Sequence, residues 1–247
     1  MRKERIDGRE TRQRLLAAAA EVFADKGYWE TSNADICQKA GANTAAVNYH
    51  FGSKEELYVE AWKYAYKKSV DAHPPDGGVG PDAPVEERLR GRIRAFIQRI
   101  ADPDICDLDV AHKEMACPTG ILTEVIEEAT KPMRQAFEGI IREMLGPKAG
   151  EEQVCYWQMS IMALCFGPMI HMRHLRKMPN APRPPDLPVD LDVEAFAEHT
   201  ASFILGGLMS AGGRFSQANG PLAADLLSPL SLALLGSMPG SLSTDPK

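Results

Sequence analysis

Apolar residues recur at intervals of three and four along most of the chain, the spacing that predicts amphipathic helices. In the first such segment, 11–26, they are followed by Gly27, a residue type that commonly ends a helix. Strand patterns are nearly absent, since no stretch sustains an alternation of apolar and polar residues. The pattern therefore predicts an all-α fold. The further predicted helices lie between Ser32 and Gly41 and at 44–49, 54–73, 84–101, 108–116, 120–145, 151–177 and 192–212.

Three stretches interrupt the helical pattern. Residues 74–81 are rich in proline and glycine and predict a linker. The run 178–188 contains five prolines, so it cannot be helical throughout. From residue 213 onward the chain is rich in Gly, Ser, Pro and Leu but poor in aromatic residues, which predicts a loosely structured tail.

The composition is that of a globular protein, because 44% of the 247 residues are hydrophobic and 25% are charged. No apolar run reaches the ~18 residues of a membrane span, and no apolar segment follows the charged start. We therefore expect no membrane partner and no secretory signal. The five cysteines show no CxxC spacing, which favours a reducing, cytoplasmic setting.

Charge is distributed unevenly along the chain. The 28 Lys and Arg against 34 Asp and Glu give a net charge of −6, yet residues 1–14 carry six basic residues against three acidic ones. A basic N-terminal arm on an acidic protein indicates a polyanionic partner at that end. The alternative is a solvated charged tail.

Three short predicted helices near the N-terminus fit a helix-turn-helix, with Gly41 in the tight turn and a third helix short enough for a major groove. Asn48 can bond adenine edges, the Thr44 methyl group can pack on thymine, and Lys54 can reach phosphate. The alternative is an ordinary helical bundle whose polar residues are merely exposed. The candidate DNA contacts are Thr31, Ser32, Asn43, Thr44, Ala45, Asn48, Tyr49, His50 and Lys54.

A longer string of residues makes the helix-turn-helix interpretation specific. From Thr11-x-x-x-Leu15-Leu16 to Tyr49-His50-Phe51-Gly52-Ser53-Lys54-Glu55-Glu56-Leu57, the chain resembles the TetR family of transcriptional regulators without a gap. Ala42-Asn43-Thr44-Ala45-Ala46 replaces the family's usual Val-Ser-x-Gly-x, so we expect a different operator. The segment Lys113-Glu114-Met115-x-x-Pro118-Thr119 is similar to the CecR-like branch of that family.

The resemblance implies a homodimer with a DNA-binding domain at 1–53, a connecting helix at 54–73, a ligand-binding and dimerisation domain at 74–213 and a tail at 214–247. It implies that the N-terminal domain binds palindromic double-stranded DNA. It also implies that the C-terminal domain holds a small apolar or amphipathic effector, although each candidate lining residue could equally be core. These candidates are Phe96, His112, Met115, Trp157, Met162, Phe166 and Met169.

The implied function is that of a ligand-responsive regulator, specifically a repressor that its effector releases from DNA. His171 and His174 lack further ligands at a recognised spacing, so we expect no metal. No nucleophile elbow, phosphate loop or cofactor fingerprint is present, so we expect neither a cofactor nor enzyme activity. Two alternatives are a DNA-binding protein without ligand response and a helical enzyme or carrier with a vestigial helix-turn-helix.

Overall fold

The computed structural model describes residues 2–177 and 191–215, with the backbone alone for residues 2–7, 174, 177 and 213–215. Within these ranges the chain forms nine helices and no strand, which confirms the predicted all-α fold. The predicted non-helical run at 178–188 and the predicted tail beyond residue 215 lie outside the described residues. The helices are α1 (Arg2–Glu30), α2 (Asn33–Ala40), α3 (Ala45–Phe51), α4 (Lys54–Ala72), α5 (Val85–Ala101), α6 (Asp107–Ala116), α7 (Thr123–Leu145), α8 (Glu151–Lys177) and α9 (Val193–Phe215).

The first helix is longer than its apolar pattern predicts. It begins at Arg2 rather than at residue 11, because the charged residues there continue the helix without contributing an apolar face. At Gly27 the backbone has φ +77°, so the chain departs from the helical path at the predicted stop and makes one further turn to Glu30.

The first of two hydrophobic cores joins α1–α4 to part of the C-terminal region. Helix α6 packs against α1 and α4, and Val110 of α6 and Leu122 are buried with the N-terminal helices. This core therefore extends beyond the boundary at residue 73 that the resemblance implied. Its large buried side chains include Leu15, Phe23, Ile36, Val47, Leu57, Tyr58 and Trp62.

The second core lies among α5, the C-terminal part of α7, α8 and α9. Helix α5 packs against both α8 and α9, and α7 packs against α9. The buried side chains of this second core include Leu89, Ile93, Ile97, Ile141, Cys165, Met169 and Leu208.

The predicted linker forms turns between α4 and α5 and is packed on α5. Gly77 has φ +66°, and a Cβ atom at this position would lie 2.3 Å from the carbonyl oxygen of Gly91. Only glycine permits this close approach of two backbones without strain. The side chain of Val79 packs over the same glycine of α5, so the loop is held against the second core.

A membrane span is not found in the described part of the chain, since none of its helices combines the required length with the required apolarity.

Candidate DNA-binding and effector sites

The start of α2 is held by a reciprocal capping box. The Ser32 hydroxyl accepts a hydrogen bond from the Asp35 amide (3.1 Å), and the Asp35 carboxylate accepts one from the Ser32 amide (2.9 Å). Lys26 donates to the same carboxylate at 2.9 Å, and together with Ser32 it holds the pKa of Asp35 well below its usual range. The exposed Ser32 hydroxyl thus has Asp35 as a hydrogen-bond partner within the protein. Its contact with phosphate stays a prediction.

The turn between α2 and α3 has the predicted chemistry. Gly41 ends α2 with φ +60° and ψ +39°, the left-handed conformation that favours glycine. Asn43 lies just before α3, and its side-chain oxygen accepts a hydrogen bond from the Ala45 amide at 2.9 Å, as in an Asx-turn. Helix α3 begins at Ala45, one residue after the predicted start, with Thr44 at the N-cap position and no side-chain cap there. The bond to Ala45 engages the oxygen of a side chain that was also predicted to contact DNA.

Helix α3 has one buried face and one exposed face. Val47 and Phe51 are buried in the first core. Thr44, Ala45, Asn48 and Tyr49 are all exposed, and their spacing of three and four residues places them together on the opposite side. Tyr49 is 84% exposed, unusually high for an aromatic side chain. The fold therefore projects these four predicted DNA contacts outward from a short helix.

His50 lies at the edge of this face. Its ring is half-buried and makes an edge-on contact with Tyr49, the centroids being 4.8 Å apart. It also lines an open cleft of about 480 Å³ beside Arg12 and Glu55. His50 is thus adjacent to the exposed face and partly turned toward the cleft.

Lys54 follows α3 and is directed partly inward. Its ammonium group donates to the Tyr28 carbonyl oxygen at 2.6 Å and lies 4.2 Å from the centroid of the Tyr28 ring. Burial lowers its pKa below the usual value for lysine. An ammonium group has two further N–H donors, so contact between Lys54 and phosphate stays a prediction.

Thr31 requires a correction. Only 3% of its surface is exposed, and its hydroxyl donates to the Gly27 carbonyl oxygen at 2.6 Å. The side chain therefore stabilises the turn after Gly27 and is not available at the surface for DNA. Its polar character suggested a contact, but the sequence does not reveal that the neighbouring backbone already satisfies the hydroxyl.

The described residues place the effector candidates in different surroundings. Met115 and Met162 are 72% and 43% exposed, so both lie at the surface of the single chain, and their place in a pocket lining stays a prediction. The side chain of Trp157, on α8, packs against Gly207 of α9, where an added Cβ atom would lie 2.8 Å from the tryptophan ring. Met169 is buried in the second core.

The remaining candidates lie at the boundary of the two cores. His112 and Phe166 face each other with ring centroids 6.4 Å apart. Phe96 lines a cavity of about 10 Å³, enough for one water-sized group, and Arg92 and Arg99 line it as well. Of the seven predicted lining residues, Phe96 is the one placed on this cavity.

Buried ion pairs connect the two cores, and sequence patterns did not identify them. Arg173 of α8 donates to both oxygens of Asp109 of α6, at 3.0 and 2.9 Å. Arg99 of α5 pairs with Asp107 of α6, and all four side chains are at most 7% exposed. We call these two pairs the polar interface. Their positions on helices far apart in sequence left no periodic signal.

A buried carboxylate ties α4 to the turn before α7. Glu114 accepts hydrogen bonds from the Tyr58 hydroxyl (3.1 Å), the Thr119 amide (2.9 Å) and the Gly120 amide (3.0 Å). Glu114 belongs to the segment that resembles the CecR-like branch. Through these hydrogen bonds it joins α4, the connecting helix, to the turn before α7.

Comparison with known families agrees with both halves of this architecture. The profile of "Bacterial regulatory proteins, tetR family" matches residues 15–61, from within α1 to the first part of α4. The profile of "HTH-type transcriptional dual regulator CecR, C-terminal domain" matches residues 85–208, half of the chain.

Individual relatives point the same way. The chain is similar to the transcriptional dual regulator CecR of Shigella flexneri, 26% identical over 159 residues, which are 60% of this chain and 71% of that protein. A transcriptional regulator from Pseudomonas aeruginosa PAO1 matches with a TM-score of 0.61 at 18% identity, covering 83% of this chain and 93% of that one. AibR, solved with isovaleryl coenzyme A and operator DNA, matches with a TM-score of 0.59 at 19% identity, covering 78% and 97%. At these identities the two structures show a shared fold.

Proposed function

The chain belongs to the TetR family of bacterial regulatory proteins, with a CecR-type C-terminal domain, and on this premise we propose that it is a ligand-responsive repressor. In this proposal a homodimer binds a palindromic operator, and a small apolar or amphipathic effector releases it. The observation that carries DNA binding is the exposed face of α3 with Thr44, Asn48 and Tyr49. Genomic footprinting of the purified protein, followed by an effector screen on the recovered site, tests it.

The dimensions of α3 support its insertion into DNA. An α-helix with its side chains is about 10–12 Å in diameter, which matches the ~12 Å width of the major groove, and α3 is only seven residues long. Its buried residues anchor it to the first core, so its orientation depends on α1 and α4. Asn48 then supplies the amide that can pair with an adenine edge, while Tyr49 is placed for phosphate or base contact.

We expect Asn48→Ala to weaken operator binding by ~1–3 kcal/mol, because the variant loses a bidentate contact to one base. Binding to random duplexes should change little, since phosphate contacts carry no sequence information. Fluorescence anisotropy with the footprinted operator and a scrambled duplex measures both. Gln135→Ala, which also replaces an amide side chain with alanine, at an exposed position of α7, is the control. An equal loss on both duplexes would show that Asn48 does not read sequence.

Exposed apolar side chains on α8 and α9 support the homodimer. These helices bury one side in the second core, yet both also expose large apolar residues. Clustered exposed apolar groups of this kind mark interaction surfaces. An isologous contact would pair the outer sides of α8 and α9 with the same helices of a second copy. The exposed residues are Tyr156, Met159, Met162, Leu164, Phe203 and Met209.

The placement of α4 between the DNA-reading head and the C-terminal helices supports the proposed effector response. Heads that read successive major grooves must stand about 34–36 Å apart, so a tilt of α4 would misplace them. A ~100-fold loss of DNA affinity requires ~2.7 kcal/mol of coupling, and operator DNA must weaken the effector by the same factor. The structure of AibR with an acyl ligand and operator DNA supports this kind of dual binding.

The small size of the cavity beside Phe96, about 10 Å³, favours a second candidate, a DNA-binding regulator without ligand response. The two functions differ in a titration of effector with and without operator DNA. A ligand whose affinity is equal in both experiments would support the second candidate.

A further inference from the structure

The N-terminal part of α1 stands clear of the first core. In the described part of this helix the first buried residue is Leu15, so residues 2–14 extend the helix by about 20 Å beyond the core. We call residues 2–14 the arm. A Cβ atom added at Gly8 would contact none of the described residues within 4 Å, apart from its own stretch of helix. Hydrophobic packing therefore does not account for residues 8–14, none of which is buried.

The basic and acidic positions of the arm lie on opposite sides of the helix. Positions 2, 5, 9 and 12 are all arginine and fall within about a quarter of a turn, because an α-helix turns by about 100° per residue. We call these four positions the arginine stripe. The acidic positions 4, 7 and 10 are centred about half a turn away. Like charges three and four residues apart repel each other along a helix, so a counter-charge from outside the arm would stabilise the stripe.

The arm leaves the DNA-reading head beside α3. Arg12, the last member of the stripe, lies over the ring of Phe51 at the end of α3, with 4.9 Å from the guanidinium carbon to the ring centroid. It also pairs with Glu60 at 3.1 Å. Arg14 reaches the other end of α3, since its guanidinium nitrogen would lie 3.9 Å from a Cβ atom at Gly41, in the turn before that helix.

Arg9 is the next arginine of the stripe toward the N-terminus. Its side chain is exposed, and no Asp or Glu among the described side chains forms an ion pair with it. Arg12, by contrast, has its charge compensated by Glu60. The positive charge of Arg9 is therefore available to an anion from outside the chain.

The position and length of the stripe match the backbone of a DNA duplex. A helix in the major groove has a sugar–phosphate strand on each side, so an arm that leaves the head beside α3 would run along one of these strands. Positions 2–12 span about 15 Å of helix axis, a length over which duplex DNA carries about nine negative charges. Residues 15–247 have a net charge of −9, so a polyanion is attracted to the arm rather than to the chain as a whole.

We propose that the arginine stripe is a second DNA contact, in which Arg9 binds a phosphate of the strand beside the groove that α3 enters. The proposal rests on the proposed function as a DNA-binding regulator and adds a contact outside the recognition helix. Phosphate carries no sequence information, so the stripe supplies affinity and fixes the position of α1 on the duplex, while α3 reads the bases. Arg12 couples the two contacts through its place over Phe51.

The salt dependence of binding by the full chain tests this contact. Fluorescence anisotropy measures affinity for the footprinted operator and for a scrambled duplex over a range of salt concentrations. Arg9→Gln should lower the slope of log affinity against log salt by about 0.9 and weaken binding about fivefold at about 0.15 M salt, because one fewer counter-ion is released. The loss should be equal on both duplexes, unlike that expected for Asn48→Ala. Arg9→Lys keeps the charge and should retain the slope.

Two control variants distinguish a contact from a change of net charge. Arg134→Gln removes an exposed arginine of α7, whose side chain is 53% exposed. Glu10→Gln removes an exposed carboxylate on the opposite side of the arm from the stripe. Neither change should alter the salt slope, and circular dichroism verifies that each variant is folded. A loss with Arg134→Gln as large as with Arg9→Gln, or an equally large gain with Glu10→Gln, would overturn the proposal.

Ethylation of single operator phosphates locates the contact on the DNA. One phosphate in each half-site should interfere with binding of the unmodified chain when ethylated and should no longer interfere with Arg9→Gln. An identical interference pattern for the two proteins would refute the assignment of Arg9 to phosphate.

The same measurements keep the stripe distinct from the proposed function. Operator binding by the unmodified chain, with unchanged affinity and salt slope in folded Arg9→Gln, would refute the stripe and retain the regulator; the arm would then be a solvated charged tail. Absence of binding to genomic DNA and to random duplexes at low salt would refute the regulator, and the stripe with it.

Discussion

Replacing Arg173 with methionine is expected to destabilise the protein by about 3–5 kcal/mol. The guanidinium is buried, pairs with Asp109, and donates to the carbonyl oxygens of Ile100 (2.9 Å) and Asp102 (2.6 Å). The variant leaves a buried carboxylate without its counter-ion, and desolvation of that charge dominates the cost. Urea unfolding followed by circular dichroism measures the loss of free energy.

Two controls separate this cost from a general effect of removing an arginine. Arg142→Met breaks exposed pairs with Glu138 and Glu151, which should cost no more than about 1 kcal/mol. The double variant Arg173→Met/Asp109→Leu removes both buried charges, so it should be more stable than Arg173→Met alone. A double variant as unstable as the single one would mean that packing, rather than the unpaired charge, sets the cost.

A glutamate in place of Phe203 is expected to yield monomers and to weaken operator binding about 100-fold or more, because each monomer can occupy only one half-site. Phe203 is 64% exposed on α9, and in the proposed dimer a second copy would bury a charge placed there. Sedimentation should show a species of 27.1 kDa in place of one twice that mass.

Met115→Glu is the matched control for this change, since Met115 is also a highly exposed apolar residue, at 72%, but lies on α6. It should leave the mass unchanged. If the unmodified chain sediments as a 27.1 kDa species at micromolar concentration, the homodimer is refuted directly.

The N-terminal helices could be predicted because their signals are local. Gly41 adopts a left-handed conformation, the Asn43 side chain accepts a hydrogen bond from the first amide of the helix that follows, and Ser32 with Asp35 forms a capping box within four residues. The family match added the assignment of α3 to DNA. Thr31 was misassigned because the carbonyl of Gly27, which satisfies it, comes close only through the turn at that glycine.

The effector site could be predicted far less well. Helical periodicity shows that α8 has more apolar residues than one face holds, but it does not show what each face contacts. Met162 was therefore predicted to line a pocket and is exposed, while Arg92 and Arg99, which no pattern singled out, line a cavity. Only the packing of α4, α5 and α7 brings these groups together.

The polar interface has a consequence for how the protein opens. Arg99–Asp107 and Arg173–Asp109 connect the two cores by buried charge, and each core has its own set of buried side chains, so we expect the cores to separate while each keeps its own packing. We therefore expect unfolding that is not all-or-none. In native-state hydrogen exchange, the amides of α6 should show the same opening free energy as those of α1 and α4, although α6 follows α5 in the chain. Helices α5, α8 and α9 should form a separate cooperative unit with its own opening free energy.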